Sequence, residues 1–262
     1  MNIEGGPLEA VQKPGQAHKV CILIPTYKER GNLQRLIPTI QEVLRSHGLA
    51  DSTTILIVDD NSPDGTGQLA EEMAKIYGNI RVLHRPAKMG LGSAYKEGFT
   101  YALQKLNVDA VFQMDADLSH DPKHLPEFLA KLREGYHVVV GSRKIPGGQA
   151  VDWGLYRRLT SSVANQLAKN LCGIKVRDAT SGYRAFTKGA LQEAEYPAIK
   201  AEGYAFQVEM LFKCQRKALK IAEIPIVFVD RKMEETKLNR GEILNFLSTC
   251  FRLFLRRIRA PV

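Results

Sequence analysis

Five short runs in the first half of the chain are almost uninterrupted in apolar character: Val20–Ile24, Ile55–Val58, Ile80–Leu83, Ala110–Phe112 and His137–Val140. Strands buried on both faces read this way, because neither side of the pleat can be left polar. Between them, apolar residues recur at helical spacing over roughly 32–47, 66–77, 91–106 and 122–134. The last of these opens on Asp121-Pro122, a helix N-cap followed by proline at the first helical position. The alternation predicts an α/β fold with a mostly parallel sheet and helices on both faces. Ligands collect at the carboxyl ends of strands in such sheets. Three polar loops follow strands there: Pro25-Thr26-Tyr27-Lys28-Glu29, Asp59–Gly65 and Asp115-Ala116-Asp117.

The pattern changes after Gly141-Ser142-Arg143. A loop with Gly147 and Gly148 precedes a long predicted helix over about 153–171, a late strand over Glu223–Arg231 and a final helix over 240–258. Residues 1–18 are polar, contain Gly and Pro, and read as a mobile tail. No apolar run reaches membrane-spanning length, and the N-terminus lacks the pattern of a signal peptide.

With 262 residues, 44% of them hydrophobic, the chain can bury one large core. Cys21, Cys172, Cys214 and Cys250 are far apart and form no C-x-x-C pair, so buried free thiols in a reducing compartment are expected. The net charge of +9 implies an acidic partner, whether nucleic acid, anionic lipid or a phosphorylated substrate. The basic residues are dispersed and no aromatic-interleaved stacking surface accompanies them, which argues against nucleic acid.

Asp115-Ala116-Asp117 is the most informative segment. If it is still extended as it leaves its strand, carboxylates two residues apart face one spot and hold a hard divalent cation. The bland alternative is a polar turn with two solvated aspartates. Three acidic loops at one sheet edge, met by Lys and Arg from later in the chain, suit a nucleoside diphosphate held through a metal. A dinucleotide fold is the rival, prompted by Gly90-Leu91-Gly92. Tyr95 stands where that fingerprint needs glycine, however, and the run does not follow the first strand.

Four blocks in order, Ile24-Pro25-Thr26-Tyr27-Lys28-Glu29-Arg30-Gly31-Asn32-Leu33, Val58-Asp59-Asp60-Asn61-Ser62-Pro63-Asp64-Gly65, Met114-Asp115-Ala116-Asp117-Leu118-Ser119-His120 and Gly141-Ser142-Arg143, resemble the polyprenol-phosphate (dolichol-phosphate) mannosyltransferases. These are inverting enzymes of glycosyltransferase family 2 with the GT-A (Rossmann-like) fold, and the similarity runs from about Val20 to Leu238. The resemblance implies transfer of mannose from GDP-mannose to a polyprenyl or dolichyl phosphate, giving the β-mannosyl phosphate. UDP-glucose is the alternative donor, and a silent membrane scaffold is disfavoured because the acidic and cationic sets are complete.

By resemblance, Pro25, Tyr27, Glu29, Val58 and Asp60 line the nucleotide pocket, Asp115 and Asp117 hold Mg²⁺ or Mn²⁺, and Ala116 lies against the nucleotide. Arg143, Arg231 and Lys237 contact the donor diphosphate, and with Asp117 they form the catalytic set; Arg157 and Ser161 meet the acceptor phosphate. Two departures stand out: Lys28 replaces the family's usual Asn, and Ser119 replaces the Gln that some members direct at the metal. Asp178–Arg184 and Gln207-Val208-Glu209 also match family blocks, as scaffold and acceptor-cleft residues.

The resemblance divides the chain into the tail, a catalytic domain at 19–238 and a basic amphipathic helix at 239–262. Leu244, Leu247, Phe251, Leu255 and Ile258 recur at helical spacing beside Arg252, Arg256 and Arg259. This is the pattern of an interfacial helix; the alternative is that the stripe packs on the catalytic domain. Some relatives continue into transmembrane helices and others rely on partner subunits. The expectation is a peripheral protein at the cytosolic face of the endoplasmic reticulum or plasma membrane, with an anchoring subunit as a candidate partner.

Overall fold

The computed structural model describes residues 19–229 and 240–259. The expected tail, Arg231 and Lys237 lie outside the described residues. All five apolar runs are strands: β1 Val20–Thr26, β2 Thr53–Asp59, β3 Ile80–His84, β4 Ala110–Gln113 and β5 Val138–Ser142. The predicted helices are α1 Arg30–Ser46, α2 Thr66–Tyr77, α3 Leu91–Gln104, α4 Leu125–Arg133, α5 Leu155–Cys172 and, at the end, α8 Arg240–Arg259. The fourth opens differently from expectation: Asp121, accepting from the Lys123 N–H at 3.0 Å, caps a tighter 3₁₀ turn, Pro122–His124, that precedes α4. Two further helices, α6 Lys188–Glu193 and α7 Gly203–Arg216, complete the set.

Three expectations need correction. A short strand, β6 Gln149–Val151, and a strand β7 Arg184–Thr187 were not foreseen. The late strand is two strands, β8 Ile221–Pro225 and β9 Val227–Val229, interrupted at Ile226 because they join different sheets. The acidic pair is not extended: β4 ends at Gln113, Asp115 and Asp117 lie in the following loop, and Leu118 takes a positive φ of 66°.

The seven-stranded sheet runs β3-β2-β1-β4-β7-β5-β8, all parallel except β7, which is antiparallel to both neighbours. Pairing of Thr26 with Asp59 puts the first two acidic loops side by side. The reversed strand has a further effect: its N-terminal end meets the carboxyl ends of the others, so the Asp178–Gly182 segment arrives beside the acidic loops. β6 and β9 form a separate parallel pair.

Cores lie on both faces of the sheet. α1, α2 and α4 cover one through Leu36, Ile40, Leu69 and Phe128; α3, α7 and α8 contribute Phe99, Phe206 and Leu253 to the other. Gly98 permits the close approach of α3 to β1, since a Cβ there would meet Leu23 Cδ1 at 2.3 Å. All four cysteines are buried and free, and burial pushes the Cys214 thiol up to about 12.

α8 docks, but not through its predicted stripe. Phe246, Thr249, Cys250 and Leu253 are buried against α5 and α7, whereas Leu244 is 66% and Phe251 59% exposed. Arg252 turns inward and pairs with buried Glu209 at 2.8 Å. Arg257 donates to the Asn170 and Leu171 carbonyls at 3.0 and 3.3 Å, capping α5, which ends on Gly173 at φ 69°. Among the described residues no helix is long and apolar enough to cross a membrane.

The two faces of α8 should therefore respond differently to truncation. Leu253→Ala, which empties a fully buried position, should cost about 2–5 kcal/mol, and exposed Phe251→Ser less than about 0.5 kcal/mol. Urea unfolding of the two variants checks this; equal losses would mean that α8 does not dock by the Phe246–Leu253 face.

Candidate active site

The first acidic loop is built by the chain ends of β1 and β2. Asp59 accepts from Ser62 Oγ at 2.5 Å, the Ser62 N–H at 3.1 Å and Thr26 Oγ1 at 3.2 Å, which ties the two loops together. Glu29 is buried; its N–H donates to Thr66 Oγ1 at 3.0 Å, and its carboxylate accepts from Asn32 at 2.6 Å. Lys28 sits at φ 61°, a conformation asparagine accepts more readily than lysine. Tyr27 is half-buried beneath the Lys88 ammonium, 4.1 Å from the ring centroid. Pro25, half-buried, and Val58, buried, are paired in the strands below.

Asp60 is held by a residue the sequence did not single out. Arg85, only 2% exposed, donates through Nη1 to Asp60, through Nε to Glu97 at 2.9 Å and through Nη2 to Ser93 at 2.5 Å. The Met89 N–H reaches the other Asp60 oxygen at 3.2 Å. The α3 N-terminus is occupied as well: Glu202 accepts from the Gly92 and Ser93 N–H groups at 2.7 and 3.3 Å. A dinucleotide phosphate has no place there.

Asp115 and Asp117 are oriented by separate contacts rather than by strand alternation. Tyr95 Oη donates to Asp115 Oδ1 at 3.2 Å, and the Ser119 N–H donates to Asp117 Oδ1 at 3.0 Å. Burial, followed by the charge of Asp115, raises the Tyr95 phenol well above its ordinary value, so it remains a donor. His120 Nδ1 accepts from the Asp115 N–H at 3.0 Å, which puts the proton of the neutral ring on Nε2, 3.7 Å from Asp115 Oδ2. That nitrogen cannot serve as a metal ligand. Ala116 is buried between the two aspartates.

These carboxylates suit a hard divalent cation. Their oxygens are the right donors, and a Cβ on Gly182 would lie 3.4 Å from Asp115 Oδ2, so glycine keeps the space before that oxygen open. Among the described residues no group of three His, Cys, Asp or Glu could hold an ion. Water and phosphate oxygens would supply the remaining ligands.

Arg143 leaves the end of β5 and is bound to Asp178 by its N–H at 2.9 Å, Nε at 2.7 Å and Nη2 at 2.7 Å, with Thr180 a further acceptor at 3.2 Å. Burial alone would raise Asp178, but the Arg143 charge and hydrogen bonds hold it below the usual carboxylate range. Arg184, fully buried at the start of β7, donates to the Ser181, Gln207 and Ala179 carbonyls and fixes the same loop. Burial lowers its guanidinium to about 9, against the raising influence of Asp178. It is still charged at neutral pH.

Phe228 joins the acidic and cationic halves. Its ring meets His120 at 5.8 Å and Trp153 at 5.6 Å, and the Arg143 and Arg157 guanidinium carbons lie 5.3 and 5.8 Å from it. Arg157 also stacks on Trp153 at 4.6 Å. From this point an apolar cavity of ≈ 290 Å³ extends between α5 and α8, lined by Arg143, Arg157, Ser161, Leu167, Phe246 and Leu247 among others. The Ser161 hydroxyl is buried and has no hydrogen-bond partner among the described residues. Leu155 and Leu159 of α5 are exposed apolar residues, as are Tyr156 and Val163, which also line the groove.

The structure thus places the three expected polar loops at one sheet edge and Arg143, Arg157 and Ser161 along one groove, while sequence reasoning did not single out Arg85, His120, Trp153 or Phe228 as structural parts of the site. His120 alone left a signal, three residues beyond Asp117.

Residues 21–194 match the family Glycosyl transferase family 2. An undecaprenyl-phosphate mannosyltransferase of Micrococcus luteus is 37% identical over 223 residues, 85% of this chain and 88% of that protein. A polyprenol monophosphomannose synthase of Mycolicibacterium smegmatis is 35% identical over 235 residues, 89% of this chain and 85% of that protein. Solved structures share the fold. A glucosyl-3-phosphoglycerate synthase from Mycobacterium tuberculosis with Mn²⁺, UDP and glucosyl-3-phosphoglycerate aligns at TM-score 0.63, 21% identity, covering 92% of this chain and 86% of that one. A mannosyltransferase from Pyrobaculum calidifontis with GDP-Man and Mn²⁺ aligns at TM-score 0.62, 15% identity, covering 98% and 69%.

The Asp178 carboxylate should show in acid unfolding. A depressed folded-state pKa contributes stability that is complete above the unfolded carboxylate value, about 4, and is lost as pH falls through the folded one. Asp178→Asn should cost about 3 kcal/mol at pH 7 by leaving Arg143 unpaired, with a shallower further loss toward pH 3 than the wild type. Urea titrations from pH 7 to 3 test it, and parallel profiles would refute the linkage.

Proposed function

Since the chain belongs to glycosyl transferase family 2, we propose that it transfers mannose from GDP-mannose to a polyprenyl phosphate, with inversion at the sugar carbon, at the cytosolic face of a membrane. One observation carries the acceptor assignment: the apolar groove between α5 and α8 is lined by Arg143, Arg157 and Ser161, and Phe228 links both guanidinium groups to His120 of the acidic loop. A hydrocarbon chain with a phosphate at one end fits that combination of surfaces. The named activities of the Micrococcus and Mycolicibacterium relatives support the same reading.

In this reading Pro25, Tyr27, Glu29, Val58 and Asp60 receive the base and ribose, with Arg85 fixing Asp60 from behind. Asp115 and Asp117 would hold Mg²⁺ or Mn²⁺, which neutralises charge on the departing diphosphate. Arg157 and Ser161 bind the acceptor phosphate, and Arg143, kept in place by Asp178, offsets the repulsion between two anions brought into one cleft. Arg231 and Lys237, outside the described residues, are proposed to join Arg143 on the donor side. The acceptor phosphate is already ionised at neutral pH and needs no general base. Attack from the face opposite the diphosphate inverts the sugar carbon.

The exposed apolar residues of α5 and α8, with Arg256 and Arg259, form the surface proposed to meet the bilayer. In this reading α8 is a docked helix with one lipid-facing side.

A panel of nucleotide sugars assayed with a short polyprenyl phosphate tests the donor, and a preference for UDP-glucose would replace GDP-mannose. Asp117→Ala should abolish transfer and the Mn²⁺ dependence of GDP-mannose binding in calorimetry while the fold persists; unchanged metal-dependent affinity would remove the metal assignment. Arg85→Gln should weaken donor binding about tenfold, the loss of roughly one charge-assisted hydrogen bond, with little change in acceptor KM. A selective rise in acceptor KM would place Arg85 outside the donor pocket's support.

A further inference from the structure

Trp153 is shared by two cavities. One is the apolar groove; the other, of ≈ 460 Å³, is lined by Arg143, Lys144, Gln149, Trp153, Arg158 and Ser162, with Gly148 and Ala150. Its cations are held on the wall. Lys144 Nζ donates to Ser162 Oγ at 3.2 Å, and Arg158 donates through Nε to the Trp153 carbonyl at 3.0 Å and through Nη2 to the Ala150 carbonyl at 3.5 Å. Arg143, which lines both cavities, is paired with Asp178. Among the described residues no carboxylate forms an ion pair with Lys144 or Arg158.

The charge there is costly. Partial burial lowers the Lys144 pKa, against the raising charge of Asp178 and with a smaller lowering from Arg143, as for a cation partly deprived of water. Hydrogen bonds to neutral oxygens fix Lys144 and Arg158 without neutralising them. On α5, Leu155 and Leu159 lie at helical spacing from Arg158 and Ser162 and are 80% and 64% exposed. An apolar shoulder therefore borders a positively charged hollow.

We propose that this pocket is a second anion site, distinct from the acceptor groove, that binds a phosphate group through Lys144 and Arg158. The phosphate belongs either to the headgroup of an anionic lipid, whose chains lie along Leu155 and Leu159, or to a free phosphate. A bound anion would give Lys144 and Arg158 a directly paired countercharge and pin the start of α5, the helix that carries Arg157 and Ser161. The proposed transfer reaction assigns no role to Lys144 or Arg158, so the site can be removed while the groups assigned to the reaction stay in place.

The test uses the full chain, a Lys144→Gln/Arg158→Gln variant, and an Arg35→Gln/Lys75→Gln control that removes the same charge from exposed positions of α1 and α2. Calorimetry with inorganic phosphate and with dihexanoyl phosphatidylglycerol reads the site, and thermal melts without ligand confirm that all three proteins fold. One class of sites, present in the wild type and the control, should weaken at least about tenfold in the pocket variant, as expected for losing two charge-assisted contacts. Saturation by phosphate alone assigns a free anion, and saturation only by the phosphatidylglycerol assigns a lipid headgroup. Equal binding by the wild type and the pocket variant, or no saturable binding of either probe to the wild type, overturns the proposal.

Discussion

The buried pairing of Arg143 with Asp178 organises the cleft. β7 runs against its neighbours, so the loop before it reaches the edge where the parallel strands end. Asp178 seizes Arg143 from β5, Arg184 fixes three carbonyls of the turn and its surroundings, and Gly182 brings the backbone close to Asp115. A charge pair removed from water gains little by itself, but losing one member would strand the other. The cost of an unpaired charge gives the loop one arrangement, and that arrangement joins the acidic and cationic halves.

The net charge divides into two populations. Arg85, Arg184, Arg252 and Arg257 serve the architecture, bridging carboxylates or closing carbonyl ends. Lys144, Arg157 and Arg158 face cavities. An excess of positive charge announces anionic partners, and of these two groups the second is placed to meet them. The same division appears along α8, where Arg252 is turned into the protein and Arg256 and Arg259 remain exposed.

The proposed lipid acceptor and the surface that would meet a bilayer share the same two helices. α5 and α8 turn one face toward the core and leave Leu159, Val163, Leu244 and Phe251 outside, with the groove between them. A hydrophobic chain held there could remain continuous with the lipid phase while its phosphate approaches Arg157. Asn245 of α8 donates to the Glu202 carbonyl at 3.0 Å, and the Glu202 carboxylate caps α3, whose Ser93 contacts Arg85. The helix that borders the groove is thereby in physical contact with the framework of the nucleotide-side loop.

The sequence by itself determined the alternating fold, five of the strands, most of the helices and the three polar loops, because long apolar runs and helical periodicity are local records of burial. Ordered motifs also exposed Asp115, Asp117 and Arg143, and the family resemblance they carry pointed to Arg157 and Ser161. Tertiary structure alone decided that β7 runs backward, that Glu223–Val229 divides between two sheets, and that Arg85 reaches Asp60. Those outcomes depend on pairings between residues 25 or more positions apart, which no local pattern records. The α8 stripe makes the same distinction: periodicity marks apolar positions on the helix, whereas contact with α5 and α7 decides that Phe246 and Leu253 go inward and Leu244 and Phe251 stay out.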